Sequence, residues 1–211
     1  MVDISNLKDL VAGGRMPQAQ AIVNEAVAEG IDLQWIIDEH LVKGMEEIGE
    51  KFEKGQAFVP NLLLAARAMK GCLDILTPLM KEGSASCLGT VVIGTVKGDL
   101  HDIGKNLVAS MLEGCGFKVV NLGADVSAQK FVDAVREHDA GIVCLSALLT
   151  TTMTYMKEIV DTFVAEGLRD KVRIMVGGAP LNAAFAAGIG ADGYSSNANE
   201  AVALAKKLIG A

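Results

Sequence analysis

The spacing of apolar positions changes once along the chain. From Ile4 to about Lys81 they recur every three or four residues, as in Ala21, Ile22, Ala26 and Val27 and then Trp35, Ile36, Leu41, Met45, Ile48 and Phe52. This is the period of amphipathic helices. Gly13-Gly14, Gly30 and the stretch from Gly55 to Pro60 punctuate this half, and Pro60 falls where the first turn of a last helix starts, because a missing N–H costs nothing there. Four helices with short connections make a bundle. Beyond Gly83-Ser84-Ala85-Ser86 the apolar runs become short, continuous and β-branched: Thr90 to Thr95, Lys118 to Leu122, Gly141 to Leu145 and Val172 to Val176. Helical stretches at Ile103 to Glu113, Ala128 to Glu137 and Met153 to Glu166 lie between them. Continuous apolar strands suit a sheet covered on both faces, and strand-helix alternation implies a parallel, doubly wound α/β sheet with right-handed crossovers. Ala191 to Tyr194 adds a weak fifth strand and Asn197 to Ile209 a closing helix. The expected organisation is a helical domain at 1–84, a linker at 85–86 and an α/β domain at 87–211.

Composition supports this picture and narrows the chemistry. Of 211 residues 51% are hydrophobic but only 4% aromatic, which favours helices and parallel strands over an aromatic-rich sandwich. The formal charge of −7 disfavours nucleic acid, whose binding depends on Lys and Arg neutralising phosphates. Cys72, Cys87, Cys115 and Cys144 form no Cys-x-x-Cys pair, so they read as small buried apolar residues rather than a zinc or dithiol site. The N-terminus shows no basic segment followed by an apolar one, and no run approaches the ~18 apolar residues of a membrane helix. A soluble, cytoplasmic protein with no membrane partner is expected. No Ser-His-Asp order and no Walker-type loop is present, which argues against a self-contained hydrolase or kinase.

Ligands of doubly wound sheets bind at the carboxyl ends of the strands. Gly98-Asp99-Leu100-His101-Asp102-Ile103-Gly104 follows the first strand, Ser146 to Thr152 the third, and Gly177-Gly178 the fourth. A histidine with a carboxylate two residues before it has the layout of a metal ligand whose second ring nitrogen is held by that carboxylate. The pattern is short, and an ordinary loop histidine also satisfies it. Glycines at 98, 104, 177 and 178 fit either plain strand-to-helix turns or close backbone approach to a ligand. His40 and His138 read as surface or partly buried structural histidines. The series Lys43, Glu46, Glu47, Glu50, Lys51 reads as a solvated helix face with Lys43–Glu47 and Glu47–Lys51 pairs. Phe52 and Phe58, at helical spacing, read as bundle core.

Taken together, Asp99-x-His101-x-x-Gly104, 41 further residues, Ser146-x-Leu148, 28 further residues and Gly177-Gly178 resemble the signature of the corrinoid-binding domain of cobalamin-dependent methyltransferases and mutases. Upstream, Phe52-Glu53-Lys54-Gly55-Gln56-Ala57-Phe58-Val59-Pro60 and on to Ala66 is similar to the helical cap of methionine synthase and of the small corrinoid methyl-carrier proteins of methylotrophic methyltransferase systems. The resemblance implies a four-helix cap followed by a flavodoxin- or Rossmann-like cobalamin-binding domain. It implies cobalamin or a related corrinoid bound base-off and His-on, with His101 as the lower axial ligand of a cobalt that cycles between Co(I) and methyl-Co(III). Asp99 then holds the other ring nitrogen and Thr152 completes the relay with a threonine in place of the family's serine. Ser146 meets the displaced base with Leu148 and Thr150 nearby. Gly98, Asp102, Ile103, Gly104, Gly177, Gly178 and Ala198 line the cofactor and its nucleotide tail. Phe52 and Val59 shield the upper face, Val59 standing where the family often has leucine, and the segment Gly83 to Ser86 is the expected hinge.

The implied function is to carry a methyl group on cobalt between a substrate-specific methyltransferase and a second methyltransferase serving tetrahydrofolate or a thiol cofactor, with a reductive activating protein as a further partner. Alone, such a chain is non-catalytic. The competing readings are the cobalamin subunit of an adenosylcobalamin mutase, a cobalamin-dependent sensor, and a flavodoxin-like domain without corrin. The segment Phe52 to Ala66 argues against the mutase, and a sensor calls for a DNA-binding or signalling segment for which no length remains.

Overall fold

Three- and four-residue spacing builds helices and short β-branched runs build strands in the computed structural model, which describes residues 2–79 and 88–210. The chain divides into two compact units, Met1–Cys87 with Glu113–Gly116 and Leu88–Leu112 with Phe117–Ala211. The expected linker at 85–86, the hinge Gly83 to Ser86 and Cys87 lie outside the described residues.

In the first unit, α1 (Leu7–Ala12) and α2 (Met16–Ala28) are followed by a long third helix and by α5 (Val59–Leu76). Asp32 starts the third helix by accepting a hydrogen bond from the Trp35 N–H at 2.7 Å. That helix runs through α3 (Leu33–Ile36), a π-helical turn (Ile37–Val42) and α4 (Lys43–Glu53). The wide turn is not legible from periodicity; with it, Ile36, Ile37, Leu41, Met45 and Ile48 all face inward. A Cβ on Gly44 would stand 2.8 Å from the Lys8 carbonyl oxygen and 2.9 Å from Val11 Cβ, so a glycine there lets α1 and α4 approach closely. Pro60 is the second residue of α5, as its missing N–H requires. The surface pairs differ in part from expectation. Lys51 meets Glu47, but Lys43 turns back to Glu39, and Lys8 takes the second Glu47 oxygen at 2.9 Å.

The second unit is a five-stranded, all-parallel sheet in the order β2-β1-β3-β4-β5. Its strands are β1 (Thr90–Thr95), β2 (Lys118–Asn121), β3 (Ile142–Ser146), β4 (Arg173–Gly177) and β5 (Gly193–Ser195). The helices are α6 (Ile103–Gly114), α7 (Ala128–His138), α8 (Thr150–Met153), α9 (Tyr155–Ala165), α10 (Ala183–Ile189) and α11 (Ala198–Ile209). β1, β3 and β4 are buried as the continuous apolar runs require. β2 is not covered on both faces: Lys118 and Asn121 are exposed because it forms the sheet edge. The helix expected from Met153 divides into α8 and α9 and begins at Thr150. α10 carries too few large apolar residues to show a period, and Asn182 starts it by accepting from the Phe185 N–H. Phe131 of α7 and Phe163 of α9 are fully buried, and Gly94 makes room for the first, since a Cβ there would sit 2.7 Å from Phe131 Cζ. Cys72, Cys115 and Cys144 are buried, and desolvation pushes the Cys72 thiol up to about 12.

Candidate functional site

Strand register lines up Thr95, Ser146, Gly177 and Ser195 across the carboxyl edge of β1, β3, β4 and β5. In this strand order the direction of chain progression reverses between β1 and β3, where a crevice opens for a ligand. The loop bearing His101 leaves from β1 and the loop 147–149 from β3, so the two flank that crevice.

Asp99 joins them. Its side chain is fully buried. One oxygen, Oδ1, accepts from the His101 N–H at 3.0 Å and faces the His101 ring at 2.7 Å from Nδ1. The other, Oδ2, accepts from the Leu148 N–H at 2.8 Å, the Leu149 N–H at 3.3 Å and the Thr152 hydroxyl at 2.7 Å. Burial by itself raises the pKa of this carboxyl, but the donors from His101, Leu148 and Thr152 outweigh it and hold the group well below the usual carboxylate range. An ionised Asp99 can only accept, so His101 Nδ1 carries a proton, and in the neutral ring Nε2 is the nitrogen with the lone pair. The ring is 51% exposed, which leaves that lone pair open to a metal. Thr95 completes the frame by donating its hydroxyl to the His101 carbonyl at 3.0 Å.

The remaining expected residues of the α/β unit lie at or just beyond the same strand ends. Gly98 has φ +82°, and its N–H donates to Asp125 Oδ1 at 2.8 Å. Asp102 opens α6 and accepts from Asn106 Nδ2 at 2.9 Å, while Ile103 is 88% exposed. Gly104 faces open space. Ser146 ends β3 half-buried, Leu148 is exposed beyond it, and Thr150 is the exposed first residue of α8. Gly177 pairs with Ser195, and Ala198 is buried at the first position of α11. Phe52 and Val59 belong to the helical unit: Phe52 is half-buried in α4 and Val59 is exposed at the start of α5. Phe58 is not core as its spacing implied, since 71% of it is exposed. Residues with no signal of their own in the sequence are Thr95, Lys105, Asn106, Asn121 and Asp125. The only hint is a lysine, Lys105, placed on the apolar face of α6.

Two glycines separate backbone need from ligand room. At Gly178, φ is +141° and a Cβ would stand 1.9 Å from the Ala147 carbonyl oxygen. Gly178→Ala is expected to lower stability by at least about 2 kcal/mol, read from urea unfolding. Gly104→Ala meets nothing and is expected to stabilise the chain slightly, by about 0.5 kcal/mol, while weakening cofactor binding. Unchanged binding in that variant counts against close approach there.

Two models of the same description, B12 binding domain, match residues 89–203 and residues 4–77. The chain is 45% identical over 208 residues to a trimethylamine corrinoid protein of Methanosarcina barkeri, covering 98% of this chain and 96% of the relative. It is 44% identical over 207 residues to a dimethylamine corrinoid protein of the same organism, covering 98% and 97%. Among solved structures, a cobalamin-binding protein from Desulfitobacterium hafniense superposes with a TM-score of 0.84 at 32% identity and 99% coverage of both chains. The methanol:cobalamin methyltransferase complex of Methanosarcina barkeri gives 0.82 at 31% identity, over 98% of this chain and 79% of that one.

The residues present fit a corrinoid. Among the described residues no three His, Cys, Asp or Glu side chains converge into a metal cage, whereas a metal already held in a macrocycle needs a single protein donor. His101, with its tautomer set by Asp99, would suit that role. Leu100, Ile103, Leu148 and Leu149 expose apolar surface on the two flanking loops, where an apolar ring system can rest. The chain belongs to the corrinoid protein family built on the B12 binding domain, and cobalamin or a related corrinoid is its cofactor.

Proposed function

We infer that this corrinoid protein takes its methyl group from a methylamine, by way of a substrate-specific methyltransferase, and passes it to a second methyltransferase serving tetrahydrofolate or a thiol cofactor. The carrying observation is the Asp99-held imidazole at the mouth of the β1/β3 crevice, half-exposed and flanked by apolar loops. The identity of 44–45% across nearly the whole chain with trimethylamine and dimethylamine corrinoid proteins supports the donor class. A reductive activating protein is a further partner in this reading.

The bound corrinoid supplies a cobalt centre able to accept a methyl group and to give it up. The chain supplies what surrounds that centre. His101 Nε2 would hold the cobalt. Asp99 keeps the proton on Nδ1, and Thr152 with the Leu148 and Leu149 amides keeps Asp99 ionised and fixed. Gly98, Gly104 and Gly177 would leave the cofactor and its tail room against the backbone, with Ser146, Thr150 and Ala198 along the tail, whereas Gly178 answers the close approach of the Ala147 carbonyl. In this reading both substrates are activated on the partner methyltransferases.

The reading is tested by isotopically labelled methyl donors. With the loaded protein, label from trimethylamine or dimethylamine and the matching methyltransferase is expected to reach protein-bound corrinoid, with labelled methanol and its own methyltransferase at least about tenfold slower, as one lost recognition contact of 1.4 kcal/mol gives. Transfer from methanol alone overturns the methylamine assignment.

A further inference from the structure

Four residues beyond His101 the chain buries a lysine. Lys105 is 3% exposed, and an ammonium taken out of water is unfavourable unless its donors are met. Its Nζ donates to Asn106 Oδ1 and to Asn121 Oδ1, each at 2.6 Å. Asn121 Nδ2 donates to Asn106 Oδ1 at 3.1 Å, and the Gly123 N–H donates to Asn121 Oδ1 at 3.1 Å. Asn106 Nδ2 continues the chain to Asp102 Oδ2 at 2.9 Å, one residue from His101. The network therefore ties the exposed end of the edge strand β2 to the first turn of α6. Methionine or leucine would fill this volume without burying a charge, so stability alone does not account for the lysine. What a satisfied polar network adds is a single geometry.

That geometry bears on His101. On the β1/β3 side the histidine is held by Thr95 and Asp99, whose partners Leu148 and Thr152 come from the neighbouring loop. On the β2 side it runs directly into Asp102 and α6, which Lys105 fastens. We propose that Lys105 is a positioning residue for His101: bridging Asn106 to Asn121, it fixes the start of α6 and so the direction in which the imidazole presents Nε2. The proposal rests on the reading of His101 as the axial ligand.

The test uses the full chain loaded with cobalamin and reduced to the cobalt(II) state. The readout is the ratio of imidazole-bound to imidazole-free cofactor, from nitrogen hyperfine structure in electron paramagnetic resonance. Direct outer-shell partners of metal ligands are worth roughly 10- to 100-fold. Lys105 acts one step further out, and Lys105→Met is expected to lower the ratio about fivefold, with Lys105→Arg recovering part of it. Asn121→Ala, which leaves room for water at the ammonium, is expected to lower the ratio similarly and serves if Lys105→Met does not fold. Asn182→Ala removes a helix cap elsewhere in the same unit and is expected to lower the melting temperature with the ratio intact. A ratio unchanged in Lys105→Met and Asn121→Ala, or moved as far by Asn182→Ala, overturns the positioning role. Absence of the nitrogen signal in the unmodified protein overturns the ligand reading itself, and this proposal with it.

Discussion

His101→Ala is expected to take the imidazole away from the cofactor while the protein stays folded. The ring is half-exposed, so its truncation opens no cavity in the core. Asp99 loses one partner but keeps the amides of His101, Leu148 and Leu149 and the Thr152 hydroxyl, so no buried charge is orphaned. The stability change is expected to stay within about 1 kcal/mol. The change at the cofactor is large, because the nitrogen donor that Asp99 orients is removed outright. Nitrogen hyperfine structure should vanish, the absorption spectrum should become that of base-off or water-ligated cobalt, and cofactor affinity should fall at least about tenfold. A spectrum identical to the unmodified protein removes His101 from the role.

Asp99→Ala has the opposite character, a loss of the frame itself. It leaves two loop amides and the His101 amide without their acceptor inside the fold, while the Thr152 hydroxyl keeps only the Leu149 carbonyl at 3.1 Å. Each buried, unpaired donor costs about 1–3 kcal/mol, and removal of one partner from a buried charged network about 3–5 kcal/mol in all. Asp99→Asn keeps the shape but turns an amide group toward donors, so it should lie between Asp99→Ala and the unmodified protein. The folded-state pKa of Asp99 is depressed below the ordinary 3.8, so the unfolded chain binds the proton more readily. The stabilisation is therefore complete above the unfolded pKa and is lost as pH falls below it toward the folded value. Urea unfolding should show the difference between the unmodified protein and Asp99→Asn at full size near pH 6, shrinking steadily below about pH 5. A difference that stays constant from pH 6 to pH 3 contradicts this account of Asp99.

Much of the architecture is legible in local pattern. Helices and strands follow from the spacing of apolar residues, because a helix and a strand bury faces of different period, and the parallel sheet follows from continuous β-branched runs. The legibility fails where the pattern is silent. The π-helical turn at 37–42 changes which residues face inward without changing their identity. α10 has the composition of a helix but too few large side chains to mark a face. β2 reads as a buried strand because Val119 and Val120 are apolar, yet its position at the sheet edge exposes Lys118 and Asn121. Phe58 has the spacing of a core residue and lies at the surface.

The same division runs through the site. Asp99 and His101 are two residues apart, and their mutual hydrogen bond is local, so the sequence by itself determined the pairing of a carboxylate with a potential ligand and placed it after a strand. The partners that give the pair its chemistry are distant. Leu148 and Thr152 lie 49 and 53 residues from Asp99, and they meet it because Thr95 and Ser146 share a register across β1 and β3. Lys105 and Asn121 are 16 residues apart and meet because β2 lies alongside β1. Only the tertiary structure decided that Asp99 is fully buried, that it stays ionised, and that His101 Nε2 is the open nitrogen. Protonation and direction depend on burial and on through-space hydrogen bonds, and those come from strand order and register, which no local run of residues encodes.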